Sequence, residues 1–180
     1  MSEPRLLLTA SPHVLGPDST PRIMWTVVAT LVPIIATSVF FFGPSALLIL
    51  LAAGGGAVLT ERFVGRKGSL NDGSAAITGI LLGLTLPPGM PLWMAFLGGF
   101  FGIAFGKLIF GGLGQNPFNP ALLGRAFLQA AFPVAITTWP TTDGAWSALR
   151  GDNFALPLMS PHSVDGTTGA TPLGLFKFEN

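Results

Sequence analysis

The sequence has no cysteine and no tyrosine, two histidines in 180 residues, and charges at only 9% of positions. Without cysteine the chain can form no disulfide, offer no thiolate nucleophile and ligate no iron–sulfur cluster through sulfur. His13 and His162 each follow a proline in a polar segment outside the apolar runs. That excludes a haem held by two histidines inside a membrane, and loop surface is a plainer reading of both than a metal site. An electron carrier bound by this chain would have to be organic.

The scarcity of charge is uneven. A soluble protein averages roughly 25% charged residues, whereas here none occurs in 23–60, in 73–106 or in 126–142. An uncharged run of ~20 residues can cross a bilayer as a helix. A charge at the bilayer centre would cost about 2.5–3.5 kcal/mol on insertion scales, so its absence is informative. A soluble chain that is 49% hydrophobic would expose large apolar patches. The net charge of +1 and the lack of a basic stripe exclude a nucleic-acid partner. The partner implied by composition is the lipid bilayer. No small-residue cleavage site follows the first apolar run, so it reads as a retained helix and not as a signal peptide.

These patterns predict an all-α, polytopic membrane protein. Five segments are expected, at 23–42, 46–60, 74–86, 92–110 and 121–136, within a membrane domain spanning 1–140. The remainder, 141–180, is rich in Gly, Pro and Thr and reads as an ordered loop region. With the N-terminus in the cytoplasm, inside segments hold Arg5, Arg22, Arg62, Arg66, Lys67, Lys107 and Arg125. The turns at Gly43 and Pro87 hold no basic residue, and the tail holds only Arg150 and Lys177 against Asp143, Asp152, Asp165 and Glu179. This bias orients the helices and puts the tail outside. Trp25, Trp93 and Trp139 fall near the expected interfaces, as aromatic belts do.

Two segments resemble discontinuous helices. Asn71-Asp72-Gly73-Ser74 offers helix caps before a short apolar run. Residues 111–120 hold three glycines and two prolines close to membrane depth. Irregular backbone survives there only when buried in protein or lining a cavity, and transporters place binding sites at such breaks. A plain cytoplasmic turn, followed by a helix with Asn119 as N-cap and Pro120 at its first position, fits the same spacing. Asp72 and Lys107 are the ionisable residues nearest the apolar core. They are candidates for an ion or proton pathway by position, although both lie within reach of an edge where they can cap or snorkel. Phe40, Phe41 and Phe42 fit lipid-facing packing better than an electron path.

The tail contains Asp165-Gly166-Thr167-Thr168-Gly169-Ala170-Thr171-Pro172. Small neighbours leave the Thr171 hydroxyl open, and Pro172 biases Thr171 towards an extended conformation. On composition alone the plainer reading is a solvated turn capped by Asp165.

The pattern Asp-x-x-(Ser/Thr)-Gly-Ala-Thr, met here by Asp165, Thr168, Gly169, Ala170 and Thr171, resembles the recognition motif of the flavin transferase that esterifies FMN to the final threonine. Independently, 107–121 resembles a signature of the RnfD/NqrB family. So do Ser11-Pro12-His13 with Ser19-Thr20 and Ile23-Met24, and 72–79. The resemblance runs nearly from end to end. Gly112-Leu-Gly-Gln-Asn-Pro-Phe118 resembles the Rnf branch, whereas Gly124-Arg-Ala-Phe-Leu128 suits the quinone-reductase branch as well. The resemblance implies a flavin-bearing subunit of the bacterial inner membrane with FMN covalently on Thr171. It also implies partners, namely other membrane subunits including a second FMN-bearing one, in a complex coupling ferredoxin:NAD oxidoreduction to Na⁺ or H⁺ transport. Such a subunit is not a complete enzyme alone, and no catalytic residue or metal ligand is assigned. The alternatives are a subunit of a sodium-pumping NADH:quinone oxidoreductase, and a flavin-free permease or channel built on broken helices. Family members are about twice as long as this chain, with a second membrane half after the flavin loop.

Overall fold

The computed structural model describes residues 19–65, 69–140, 149 and 151–157. Among them the secondary structure is entirely helical. Helix α1 (Thr20–Phe42) and helix α2 (Pro44–Val64) are joined at Gly43, whose φ of 70° breaks the helical run. Pro44 then starts α2 with a φ already suited to a helix. At 23 and 21 residues the pair measure about 34 and 31 Å at 1.5 Å per residue, near the ~30 Å of a bilayer's hydrocarbon core. Both are long and apolar enough to cross a membrane. No residue of α1 is buried, and Ile34, Phe40 and Phe41 are exposed along it.

The remaining helices pack around α2. Helix α3 (Ser74–Leu84) follows a 3₁₀ turn at Ser69–Asp72. Helix α4 (Leu92–Ile103) continues into a π-helical turn at Ala104–Leu108. Helix α5 (Pro120–Ala131) and a short α6 (Pro133–Thr137) complete the described set. The core is formed by Ile49 and Ala53 of α2, Leu82 of α3, Ala95 of α4, and Leu128 of α5. Small residues let the backbones approach. A Cβ on Gly99 would lie 2.9 Å from the Ala57 nitrogen and closer still to the Ala53 carbonyl oxygen. Between α4 and α5, a Cβ on Gly124 would strike the carbonyl oxygen of Gly98. In lipid, where tails are as apolar as leucine, this close packing is what holds helices together.

Helices α3 and α5 contain 11 and 12 residues, about 16 and 18 Å, which is half a span. Each has a built start. Asp72 Oδ1 accepts from the Ser74 backbone nitrogen at 2.8 Å and from its hydroxyl at 2.7 Å. Asn119 Oδ1 accepts from the Ala121 nitrogen at 2.9 Å, with Pro120 at the first helical position, as in the plainer of the two readings of that spacing. The segment expected at 121–136 is interrupted at Phe132, with φ −135° and ψ 59°. Pro133 is the cause, since it lacks an N–H and disfavours helical geometry in the residue before it.

Residues 151–157 return to the turn between α3 and α4. The Asn153 side-chain amide donates to the carbonyls of Pro88 at 2.8 Å and Met90 at 3.0 Å. The Leu92 nitrogen donates to the Asn153 carbonyl at 2.9 Å, and the Asp152 nitrogen to Gly89 at 3.2 Å. The attachment residues Asp165, Thr168, Gly169, Ala170 and Thr171 lie outside the described residues.

Candidate functional site at the starts of the half-helices

Lys107 is a charged side chain buried in the interior of the described residues. It sits in the π-helical turn, 2% exposed. The Ile109 nitrogen reaches back to the Ala104 carbonyl at 3.2 Å, the wider ladder that defines such a turn; π-helical turns recur at functional sites. The Lys107 ammonium donates to Glu61 Oε1 and to the Ser74 hydroxyl, and lies 3.3 Å from Asp72 Oδ2. Four elements therefore meet at one cation: the last turn of α2, the 3₁₀ turn, the start of α3 and the π-helical turn. An ammonium has three donors and no acceptor, and these three oxygens match them.

Sequence reasoning singled out Asp72 and Lys107 with capping or snorkelling at an edge as the alternative for both, and Asp72 does cap α3. The structure brings the two together and buries Lys107 inward. It also adds Glu61, which lies at the end of an apolar run and 46 residues from Lys107. A lone acid closing a membrane segment was the available signal for it. Asp72 serves both the cap of α3 and the ion pair.

Beside this cluster a cavity of about 380 Å³ opens between the starts of α3 and α5. Ser74, Thr78 and Lys107 line one side and Asn116, Asn119 and Pro120 the other, with Met24 of α1 at the rim. Two helix N-termini thus converge on one space, each presenting the positive end of its dipole. A second hollow, about 680 Å³ and lined by Val64, Phe100, Phe105 and Ile109 among others, is mostly apolar. Phe101 stacks on Phe105 and Phe127, with ring centroids 4.4 and 4.1 Å apart.

Arg125, counted from the sequence only as an orienting charge, lies in the second turn of α5. Its guanidinium donates to the carbonyl oxygen of Thr85, just beyond the end of α3. A helix end leaves carbonyls without intrahelical partners, and Arg125 satisfies one of them.

Residues 7–180 match the NQR2, RnfD, RnfE family. The chain is 40% identical over 176 residues to the D component of the proton-translocating ferredoxin:NAD(+) oxidoreductase complex of Clostridium ljungdahlii, covering 96% of this chain and 48% of that protein. It is 37% identical over 182 residues to the D component of the ion-translocating oxidoreductase complex of Cellvibrio japonicus, covering 96% and 51%. The protein of the same name from Haemophilus influenzae is 36% identical over 186 residues, covering 92% and 52%. The chain therefore spans about half the length of the curated relatives it matches. With a match over nearly its whole length, the chain belongs to the NQR2, RnfD, RnfE family.

Proposed function

We propose that the chain is a membrane subunit of an ion-translocating electron-transfer complex of the Rnf type, carrying FMN esterified through its phosphate to Thr171. One observation carries the reading. The likeness to these relatives extends through the tail, where Asp165, Thr168, Gly169 and Ala170 precede Thr171 in the order a flavin transferase recognises. The residue chemistry fits the group: a phosphoester needs a hydroxyl, and Thr171 supplies one between Ala170 and Pro172. When bound, FMN supplies redox chemistry at its ring system, and the protein supplies placement and electrostatics.

The chain's own contribution is positional. Residues 151–157, which precede the attachment segment in sequence, are clamped to the turn of Pro88 and Met90. The basic bias puts this turn and the tail on the outer face of the cell membrane, with the N-terminus inside. Other membrane subunits, including a second flavin-bearing one, complete the electron path. Ferredoxin and NAD are the expected reactants of the whole complex, with Na⁺ or H⁺ as the moved ion.

A second reading draws on the cavity between α3 and α5. Asp72 and Ser74 at the start of α3 meet Lys107, and Asn119 and Pro120 at the start of α5 line the same cavity, an arrangement like that by which transporters hold ions and substrates. In that reading the same subunit takes part in moving the ion. The quinone-reductase branch differs from the Rnf branch in electron acceptor, and Gly124 to Leu128 suits both.

The test is expression in a host with the flavin transferase, followed by denaturing electrophoresis. A band of the chain fluorescing as flavin, lost in Thr171→Ala, is the expected result. A dark band in the wild-type chain would remove the flavin and leave the permease reading.

A further inference from the structure

The apolar hollow at the end of α2 takes no part in the functions proposed above. It measures about 680 Å³ and lies between Val64 and the π-helical turn, with Phe105, Ile109 and Leu113 on its walls. Val64 and Ile109 are each 65% exposed, so the hollow is open along its side. Every lining side chain is apolar or belongs to glycine. The backbone nitrogens of Gly111 and Gly112 are spent on the carbonyls of Leu108 and Lys107. A ring whose carbonyls need hydrogen-bond donors finds none on these side chains. A hydrocarbon chain needs none.

The rim is different. Arg62, in the last turn of α2, is exposed and lies three residues before Gly65, which lines the hollow; residues at that spacing are neighbours on a helix surface. Among the described residues no acid answers Arg62. Glu61 and Asp72 are held by Lys107, and Asp152 belongs to the segment on the Gly89 turn. Arg66 and Lys67, next in sequence, add charge of the same sign. The basic bias puts this end of α2 at the cytoplasmic edge, where anionic lipids give the leaflet a negative surface potential and basic pockets between membrane helices hold anionic head groups. Lipid tails are as apolar as leucine, so the hollow sets where a chain lies and the head group sets which lipid is kept.

We propose that this hollow is a binding site for an anionic phospholipid of the inner leaflet, with one acyl chain against Phe105 and Ile109 and the phosphate on the Arg62 guanidinium. A phosphate matches the planar fork of a guanidinium, and a long basic side chain at a helix end reaches the interface by snorkelling. One basic residue near such a surface contributes about 1 kcal/mol, or about fivefold in occupancy. The inference rests on the membrane reading above and is independent of the flavin.

The experiment places the chain, assembled in its complex, in phosphatidylcholine vesicles. These hold a trace of phosphatidylglycerol or of phosphatidylethanolamine, each with a diazirine near the end of one acyl chain. The two probes share a tail and differ in head-group charge. After illumination, peptide mapping should find phosphatidylglycerol on Phe105 to Leu113 at least about fivefold more often than phosphatidylethanolamine. The peptide holding Val32, exposed on α1, should take both equally. Arg62→Gln should lower the ratio about fivefold, and Arg62→Lys should keep most of it. Ile109→Trp, which fills the hollow, should reduce labelling by both probes. Equal labelling of Phe105 to Leu113 by the two lipids would overturn the proposal. So would a ratio that Arg62→Gln leaves unchanged, labelling that Ile109→Trp leaves unchanged, or a hollow that takes neither probe because protein or another molecule fills it. In each case labelling at Val32 keeps the membrane reading intact, and its loss would overturn that reading as well.

Discussion

Lys107 and Asp72, 35 residues apart in sequence, place ammonium and carboxylate 3.3 Å from each other, with Glu61 and Ser74 on the remaining donors. Such an ionic centre ties α2, α3 and the π-helical turn together at one point. Removing one member of a buried pair costs more than the pair contributes, because an unmatched charge is left behind. Lys107→Met should therefore lower stability by about 3–5 kcal/mol, read as a loss of thermal stability in detergent. Adding Glu61→Gln to that variant should recover part of the loss. A single variant as stable as the wild type would show that the cluster does not hold the helices.

The glycines of α2, α4 and α5 divide into two kinds. Gly99 and Gly124 touch neighbouring backbone, whereas a Cβ on Gly55 meets nothing within 4 Å. Gly99→Leu and Gly124→Val should separate helices and give aggregated protein on size-exclusion chromatography. Gly55→Ala should be neutral or stabilising by up to about 0.5–1 kcal/mol, since it removes backbone freedom without adding a contact. The reverse ranking would contradict the packing described.

Asn153 is 3% exposed and makes two hydrogen bonds to the turn between α3 and α4. Asn153→Ala leaves the Pro88 and Met90 carbonyls without that donor, at a cost on the order of 1–3 kcal/mol. The expected sign is faster proteolysis near Phe154, which is exposed, with α2 and α4 unaffected. Equal cleavage rates in the two proteins would count against the clamp.

Much of the helix pattern was legible in the sequence, because the uncharged runs mark it directly. The bounds were less so, and for one reason. Charges read as ends, so the second segment was expected to stop at 60, yet α2 continues to Val64. Glu61 can stay in the helix because Lys107 meets it from 46 residues away, and no local pattern announces such a partner. Asn119 and Pro120 were readable because a cap acts over two residues. The break at Phe132 carried its own sign in Pro133, outweighed by the apolar run around it. Arg125 showed only as a charge, since its contact with Thr85 depends on how α3 and α5 lie together. The attachment motif is a different case: composition makes it a turn, and only resemblance to a recognition sequence gives it chemistry.

Orientation can be checked cleanly because the chain has no native cysteine. A cysteine placed at Ser163 should react with an impermeant maleimide in intact cells, and one at Ser69 should react only after lysis. The opposite pattern would put the tail on the cytoplasmic side and contradict the proposed orientation.

The central claim is that Thr171 carries the flavin, and peptide mapping of the purified chain tests it most directly. The account predicts that the peptide spanning Asp165 to Thr171 bears FMN, with fragmentation placing the added mass on Thr171. It also predicts that Thr171→Ser retains some modification and Thr168→Ala a reduced amount. FMN found on Thr167 or Thr168, or an unmodified peptide from cells that contain the transferase, would contradict it.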